Sequence, residues 1–264
     1  MNFENILNNN FIKMISPEFI TSIIVMLIIC IFSFVVYFKQ KKYTALDEPK
    51  GIVNIMEFAI DTFDDQVREN MGVSYVHMSF YFMVLSAYIF LGFIVGMIGI
   101  PNFIYLGEDS IMNSSHLFAS LTNPFTNIAF PLMIGLVTWI ATQANSIRYS
   151  HWGYLKQFVS PIPLVGFLSL FSPLISITMR LFGNAFAGFC LSTIVYVALS
   201  QLFNGFGLLV SPVIMPFFHA YFDLFSGFIQ TLIFMTLSMI NIAQQGPDQE
   251  EQIAALSLKT TIAE

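Results

Sequence analysis

Between Pro161 and Leu202 the chain runs for more than forty residues with a single charged side chain, Arg180. The thirty residues from Pro173 to Leu202 would reach about 45 Å as a helix, against a hydrocarbon core of roughly 30 Å. Such a run either tilts strongly or breaks into two spans. A break needs a polar turn, and none follows Pro173. A long tilted helix is expected, antiparallel to a similar one after Pro216. Arg180 sits inside it. Its guanidinium stays charged at any physiological pH, and a charge at that depth costs roughly 3 kcal/mol or more. An intramembrane arginine is therefore a functional-site candidate.

Composition agrees with a membrane. The chain is 56% hydrophobic and 10% charged, with 30 Phe in 264 residues. That is too apolar for an ordinary soluble domain. The net charge of −6 gives no footprint for nucleic acid. Four His and two Cys leave little material for a metal site. Cys30 and Cys190 lie in apolar runs and read as small hydrophobes.

The expected fold class is an all-α membrane protein, a single domain over residues 1–264. About five membrane helices are expected, at residues 18–38, 75–100, 124–145, 161–202 and 211–243. The last two are the long tilted antiparallel pair. KQKKY follows the first run directly, the reverse of a secretory signal, so a retained helix is expected. Eight of the ten basic residues lie on one side of this arrangement: Lys39, Lys41, Lys42, Lys50, Arg68, Arg148, Lys156 and Lys259. Lys13 and Arg180 are the exceptions. The asymmetry predicts an outside N-terminus and a cytoplasmic C-terminal tail, residues 244–264.

Residues 51–70 read differently. Ile52, Ile55, Met56, Ala59, Ile60, Phe63 and Val67 recur at helical spacing, with Asn54, Glu57, Asp61, Asp64, Asp65 and Arg68 opposite. This predicts an interfacial amphipathic helix. Its polar face is acidic, so attraction to anionic lipid does not explain it, and a partner protein would.

Polar side chains form stripes within the apolar runs. Steps of four through Arg180 give Ser172, Ser176, Arg180, Asn184, Gly188 and Ser192. His219, Asp223, Ser226 and Gln230 share a face of the last long segment. Asn127, Gly135, Thr138, Thr142 and Asn145 make a third, weaker stripe. Small polar residues also serve simply to pack membrane helices closely. Packing does not need charge, so it leaves Arg180 and Asp223 unexplained. The two charges either neutralise each other as a structural salt bridge or line an ion path. His219, one turn from Asp223, adds a group that exchanges protons near neutral pH.

These residues carry a resemblance. MRLFGNAFAG, Met179 to Gly188, resembles the signature of subunit a of rotary F-type ATP synthases. DLFSGFIQTLIFMTLSMI, from Asp223, resembles that family's last helix. The segment around Asn123-Pro124 to Asn127 resembles its third span more loosely. The resemblance implies a membrane stator that passes ions to and from a rotating ring of c subunits. It implies partners: the c-ring, the peripheral stalk subunit b, the rest of the F-type complex and the lipid membrane. No cofactor is implied. Arg180 matches the essential arginine that faces the ring carboxylate, Asn184 the asparagine after it, and Gln230 the glutamine facing that arginine. Asp223 falls where members line one half-channel with a His or an acid, and His219, Ser226 and Asn127 complete the expected ion pathway. Phe189 falls where many bacterial members carry a Glu, and Asn127 where they often carry an acid. The implied location is a bacterial plasma membrane, ahead of a mitochondrial inner membrane.

The main alternative is a secondary ion transporter with a midplane Arg/Asp site. Such folds usually carry internal repeats, and none is visible. A non-transporting assembly protein leaves Arg180 and Asp223 unexplained. No phosphate-binding loop or nucleophile elbow is present, so no ATP site of the chain's own is expected.

Overall fold

The structure, a computed structural model, describes residues 16–41, 50–98, 122–150, 163–202, 207–244 and 246. Among them all regular structure is helical, and the chain is an all-α membrane protein. Helix α1 is Pro17–Gln40, α2 Ile52–Met71, α3 Ser79–Ile98, α4 Ala129–Ser150 and α5 Pro163–Leu202. Then α6, Gly207–His219, passes through a π turn, Ala220–Phe225, into α7, Ser226–Ala243. Short 3-10 turns precede α3 (Val73–Met78) and α4 (Pro124–Thr126). Four stretches of the described residues are long and apolar enough to cross a membrane: Pro17–Gln40, Val73–Met97, Leu168–Leu199 and Val213–Ala243. The fifth expected span, at 124–145, corresponds to α4, which falls outside that set. Its 22 residues include Thr138, Thr142, Gln143, Asn145, Ser146 and Arg148, which dilute its apolar character.

The ends of α1 suit its dipole. Pro17 opens it without losing a needed hydrogen bond, Glu18 lies in its first turn and Lys39 in its last. Thr21, Ser22, Val25 and Val36 are its buried residues, while Ile31 and Phe34 are exposed, as lipid-facing side chains are. In α5 the chain is helical throughout 40 residues with Pro173 inside. The proline removes one backbone hydrogen bond but does not divide the helix.

On α2 the packed face is set by Val53, Val67 and Met71. Ile55 is two residues on from Val53, about 200° round the helix. It is 64% exposed, on a side of α2 that the other described residues do not cover. The helix ends at Gly72, whose φ of 94° suits glycine. The Gly72 N–H donates to the carbonyls of Val67 and Arg68, which closes the last turn.

The chain forms two compact units. One draws on residues 1–30, 88–130 and 181–230, the other on 31–87, 131–180 and 231–264. Within the first, the hydroxyls of Ser22 and Tyr88 hydrogen-bond at 2.7 Å and tie α1 to α3. Gly96 packs on the turn before α4, where a Cβ would lie 2.7 Å from the Asn123 backbone. Asn123 holds that turn by accepting from the Phe125 N–H at 3.0 Å.

The core of the second unit joins α2, α3 and α7 through Val67, Met71, Tyr75, Phe82, Met235, Met239 and Ile242. In lipid the association of apolar helices rests on packing and hydrogen bonds, each of the latter worth roughly 1 kcal/mol. Asn145 supplies two, donating to the Tyr75 hydroxyl at 2.9 Å and to the Ile242 carbonyl at 2.7 Å. Thr138, Thr142 and Ser146 donate to the carbonyls of Ile134, Thr138 and Thr142, each four residues back. Their hydroxyls are satisfied within the helix and can be buried. The third stripe is thus a packing and hydrogen-bonding seam along most of its length.

Candidate functional site

Arg180 lies well inside α5, some 17 residues, or about 25 Å, from its start. It is exposed, as are Ser172 and Ser176 below it and Gly183 and Ala187 above it. The stripe counted in steps of four does not stay on one face. Each step advances about 40°, so five steps from Ser172 to Ser192 carry it about 200° round. Its first half is exposed with Arg180. Its second half turns inward: Asn184 is half-buried, Gly188 and Ser192 buried.

That inward half meets the last long segment. Ser226 donates to the Asn184 side-chain carbonyl at 2.6 Å, and a Cβ on Gly188 would lie 3.3 Å from that of Phe222. Residue 184 thus pairs with 226, and 188 with 222. As one index rises by four the other falls by four, so the two segments run antiparallel here. A bare glycine at 188 admits the Phe222 side chain.

The π turn sits at this place. The Ser226 N–H bonds to the Tyr221 carbonyl, five residues back. Such turns widen the helix and recur at functional sites. His219 and Asp223 straddle its start. His219 Nδ1 lies 2.6 Å from Asp223 Oδ2, each side chain 17% exposed. The carboxylate, when ionised, accepts from Nδ1–H. Phe222 and Ser226, one turn apart, both face α5, and Asp223 lies next round the helix from Phe222.

The sequence-predicted residues thus fall into groups. Asn184 joins Ser226, and His219 joins Asp223. Gln230 is 6% exposed. Its Nε2, like the Nδ2 of Asn184, is buried without a hydrogen-bond partner among the described residues. A buried amide donor left bare costs about 1–3 kcal/mol, so both positions suit water or an acceptor from a partner. The Asn127 Oδ1 accepts from the Ala129 N–H at 3.1 Å, at the start of α4. Phe189 is 47% exposed. The Ser22–Tyr88 bond was not anticipated, although a hydroxyl within each of two apolar runs was a usable signal.

Comparison with known proteins bears on this arrangement. The family model described as ATP synthase A chain matches residues 19–243. A protein of Mycoplasmoides gallisepticum named ATP synthase subunit a is 23% identical over 240 residues, covering 81% of this chain and 73% of its own. One of Streptococcus agalactiae with the same name is 26% identical over 257 residues, 93% of this chain and 98% of its own. One of Propionigenium modestum, named ATP synthase subunit a, sodium ion specific, is 30% identical over 182 residues, 67% of this chain and 55% of its own. With a match that takes in α5, the π turn and all of α7, the chain belongs to the ATP synthase A chain family.

Proposed function

We propose that this chain is the membrane stator of a rotary ATP synthase, providing two half-channels to and from a c-ring and coupling ion flow to its rotation. The observation that carries the reading is Arg180, a permanent charge exposed on a long apolar helix. In a membrane that charge calls for an anionic partner or water, and a ring carboxylate supplies the anion. An ion entering from outside neutralises that carboxylate, and the neutral group can turn through lipid. At the other half-channel it loses the ion and the anion meets Arg180. The fixed positive charge also blocks direct passage between half-channels. Each charge moved down 100 mV releases about 2.3 kcal/mol, so several are needed per ATP. Asn184, Ser226, Gln230, His219, Asp223 and Asn127 offer the polar groups for a path. Subunit b and the remaining subunits of the complex are the further partners.

Gly183 tests the arrangement. It is exposed, one turn from Arg180, and a Cβ there meets nothing within 4 Å. Gly183→Cys should form a disulfide with a cysteine placed beside the ring carboxylate, and the bond should stop coupled ATP hydrolysis until it is reduced. Failure to cross-link with any ring position near the carboxylate would place the ring elsewhere.

We place α4 as a further span and α2 at the cytoplasmic surface, in a bacterial plasma membrane with the N-terminus outside. Apart from Arg180 inside α5, the Lys and Arg of the described residues are Lys39, Lys41, Lys50, Arg68 and Arg148, and all five belong to the second unit. That supports putting its surface ends on the cytoplasmic side. Single cysteines at Gly107, which lies outside the described residues, and at Gly246 should label from opposite faces, Gly107 from outside. Labelling of both from one face would overturn the orientation.

A further inference from the structure

A fixed charge that meets a moving carboxylate must be held at one depth and in one direction. What holds Arg180 is therefore a question in itself, and the inference rests on the stator reading above. The helix that carries Arg180 contains Pro173. A proline has no N–H, so the Ser169 carbonyl, four residues back, loses its usual donor. Arg180 lies roughly 10 Å further along the helix. A change of about 10° in the bend at Pro173 moves it by roughly 2 Å.

Two residues of α4 meet α5 on either side of this proline, all within the second unit. Before it, the Trp139 indole N–H donates to the Leu170 carbonyl at 2.9 Å. The same ring stacks on Phe171, centroids 5.1 Å apart. The bond thus reaches the α5 backbone next to the carbonyl that Pro173 leaves without its donor, as neighbouring helices do at membrane prolines. After it, Gly135 is buried. A Cβ there would lie 2.5 Å from Thr178 Oγ1 and 3.4 Å from Leu174 Cδ1. Thr178 is 2% exposed, and its hydroxyl has no hydrogen-bond partner among the described residues. The contact is therefore one of shape: the hydroxyl fills the space that glycine leaves open. Thr178 and Arg180 are two residues apart, about 200° round the helix. So α4 supports α5 from behind, while Arg180 is exposed on the other side.

We propose that Trp139 and Gly135 of α4 are positioning residues for Arg180. The indole hydrogen bond holds the bend at Pro173, and the Thr178 seat on Gly135 fixes how far α5 is turned about its axis. Together they set the depth and direction of the guanidinium. Both act through Arg180 from the opposite face of α5. The proline gives α5 a place to bend, and α4 removes that freedom. The effect is sizeable because the attraction depends on distance. Moving a unit charge from about 4 Å to about 6 Å from a carboxylate, at an effective dielectric near 20, costs roughly tenfold in rate.

The test uses inverted vesicles carrying the whole assembled complex, with pumping rates matched for complex content. Gly135→Ala should pump roughly tenfold more slowly. Gly135→Ala with Thr178→Ala should return to the rate of Thr178→Ala alone. The atom at 2.5 Å is then gone, and the Thr178 Cβ, at 3.7 Å, is an ordinary contact. Trp139→Phe keeps a ring for Phe171 but has no N–H, and should pump about threefold more slowly or worse. Cross-linking distinguishes a displaced arginine from loosened packing. With Gly135→Ala or Trp139→Phe added, Gly183→Cys should lose yield with the ring cysteine that it reaches in the parent and gain it with a neighbouring ring position. Adding Thr178→Ala to Gly135→Ala should restore the parental partner. A parental rate in either Gly135→Ala or Trp139→Phe would overturn the proposal. So would a Gly135→Ala deficit that Thr178→Ala leaves in place, or slow complexes with unchanged cross-linking. If Gly135→Ala does not assemble, Trp139→Phe, which adds no atoms between α4 and α5, decides alone. Failure of the stator reading shows differently: Gly183→Cys in the parent chain then cross-links with no ring position. If it does cross-link there and neither α4 substitution matters, only this inference falls.

Discussion

Arg180→Ala abolishes ion-driven ATP synthesis and ATP-driven pumping while the complex still assembles: that is the largest effect expected of any single change here. The reason is electrostatic. A guanidinium about 4 Å from a ring carboxylate, at an effective dielectric near 20, contributes about 4 kcal/mol. Losing it from the rate-determining passage costs roughly a thousandfold. It also removes the barrier to direct leakage between half-channels, so uncoupled ATP hydrolysis by the catalytic head can persist. Arg180→Lys should fail as well, because a compact, strongly hydrated ammonium lacks the planar fork of donors. Because Arg180 is exposed on α5, its replacement leaves no hole in the core, and loss of function can be separated from loss of fold. Synthesis driven by an imposed proton gradient is the measurement. Near-parental synthesis in Arg180→Ala membranes would falsify the role.

The second large effect is at Asp223. Asp223→Asn retains size and a hydrogen-bonding group for His219, across a contact now 2.6 Å long, but loses the titratable charge. It separates packing from proton handling. Pumping should fall by roughly a hundredfold, the low end of what a positioned proton-transfer group contributes, in membranes matched for assembled complex. Asp223→Glu should retain a substantial part of the flux, because it keeps a titratable carboxylate at this position. If Asp223→Asn pumps like the parent, the residue is a packing element and the path runs through other groups.

The two changes also discriminate between readings. A transporter with a midplane site would lose substrate binding with either variant and have no dependence on a ring. A stator loses coupling with Arg180→Ala yet leaves ATP hydrolysis in place. Membership of the ATP synthase A chain family, carried by a match over residues 19–243, favours the second pattern.

Much of this was legible in the chain itself, because a membrane imposes simple rules. Backbone groups must be satisfied within each segment, so long apolar runs become helices, and α1, α3, α5 and the α6–α7 segment all fall where such runs lie. A charge inside such a run marks a site, which singled out Arg180 and Asp223. The 3.6-residue period placed α2 correctly as a helix. Tertiary structure decided what periodicity could not. Steps of four drift about 40° each, so the Arg180 stripe passes from an exposed face to a buried one, and only contact with Phe222 and Ser226 shows where. The π turn at Ala220–Phe225 changes the helical repeat around Asp223, and no residue spacing announces it. The same holds for Asn145, whose two partners come from distant parts of the chain. Local sequence determines which segments become helices and which residues are too costly to be accidental. Which side chains meet depends on helix phase and on contacts between segments far apart in sequence, and those exist only once the chain has packed.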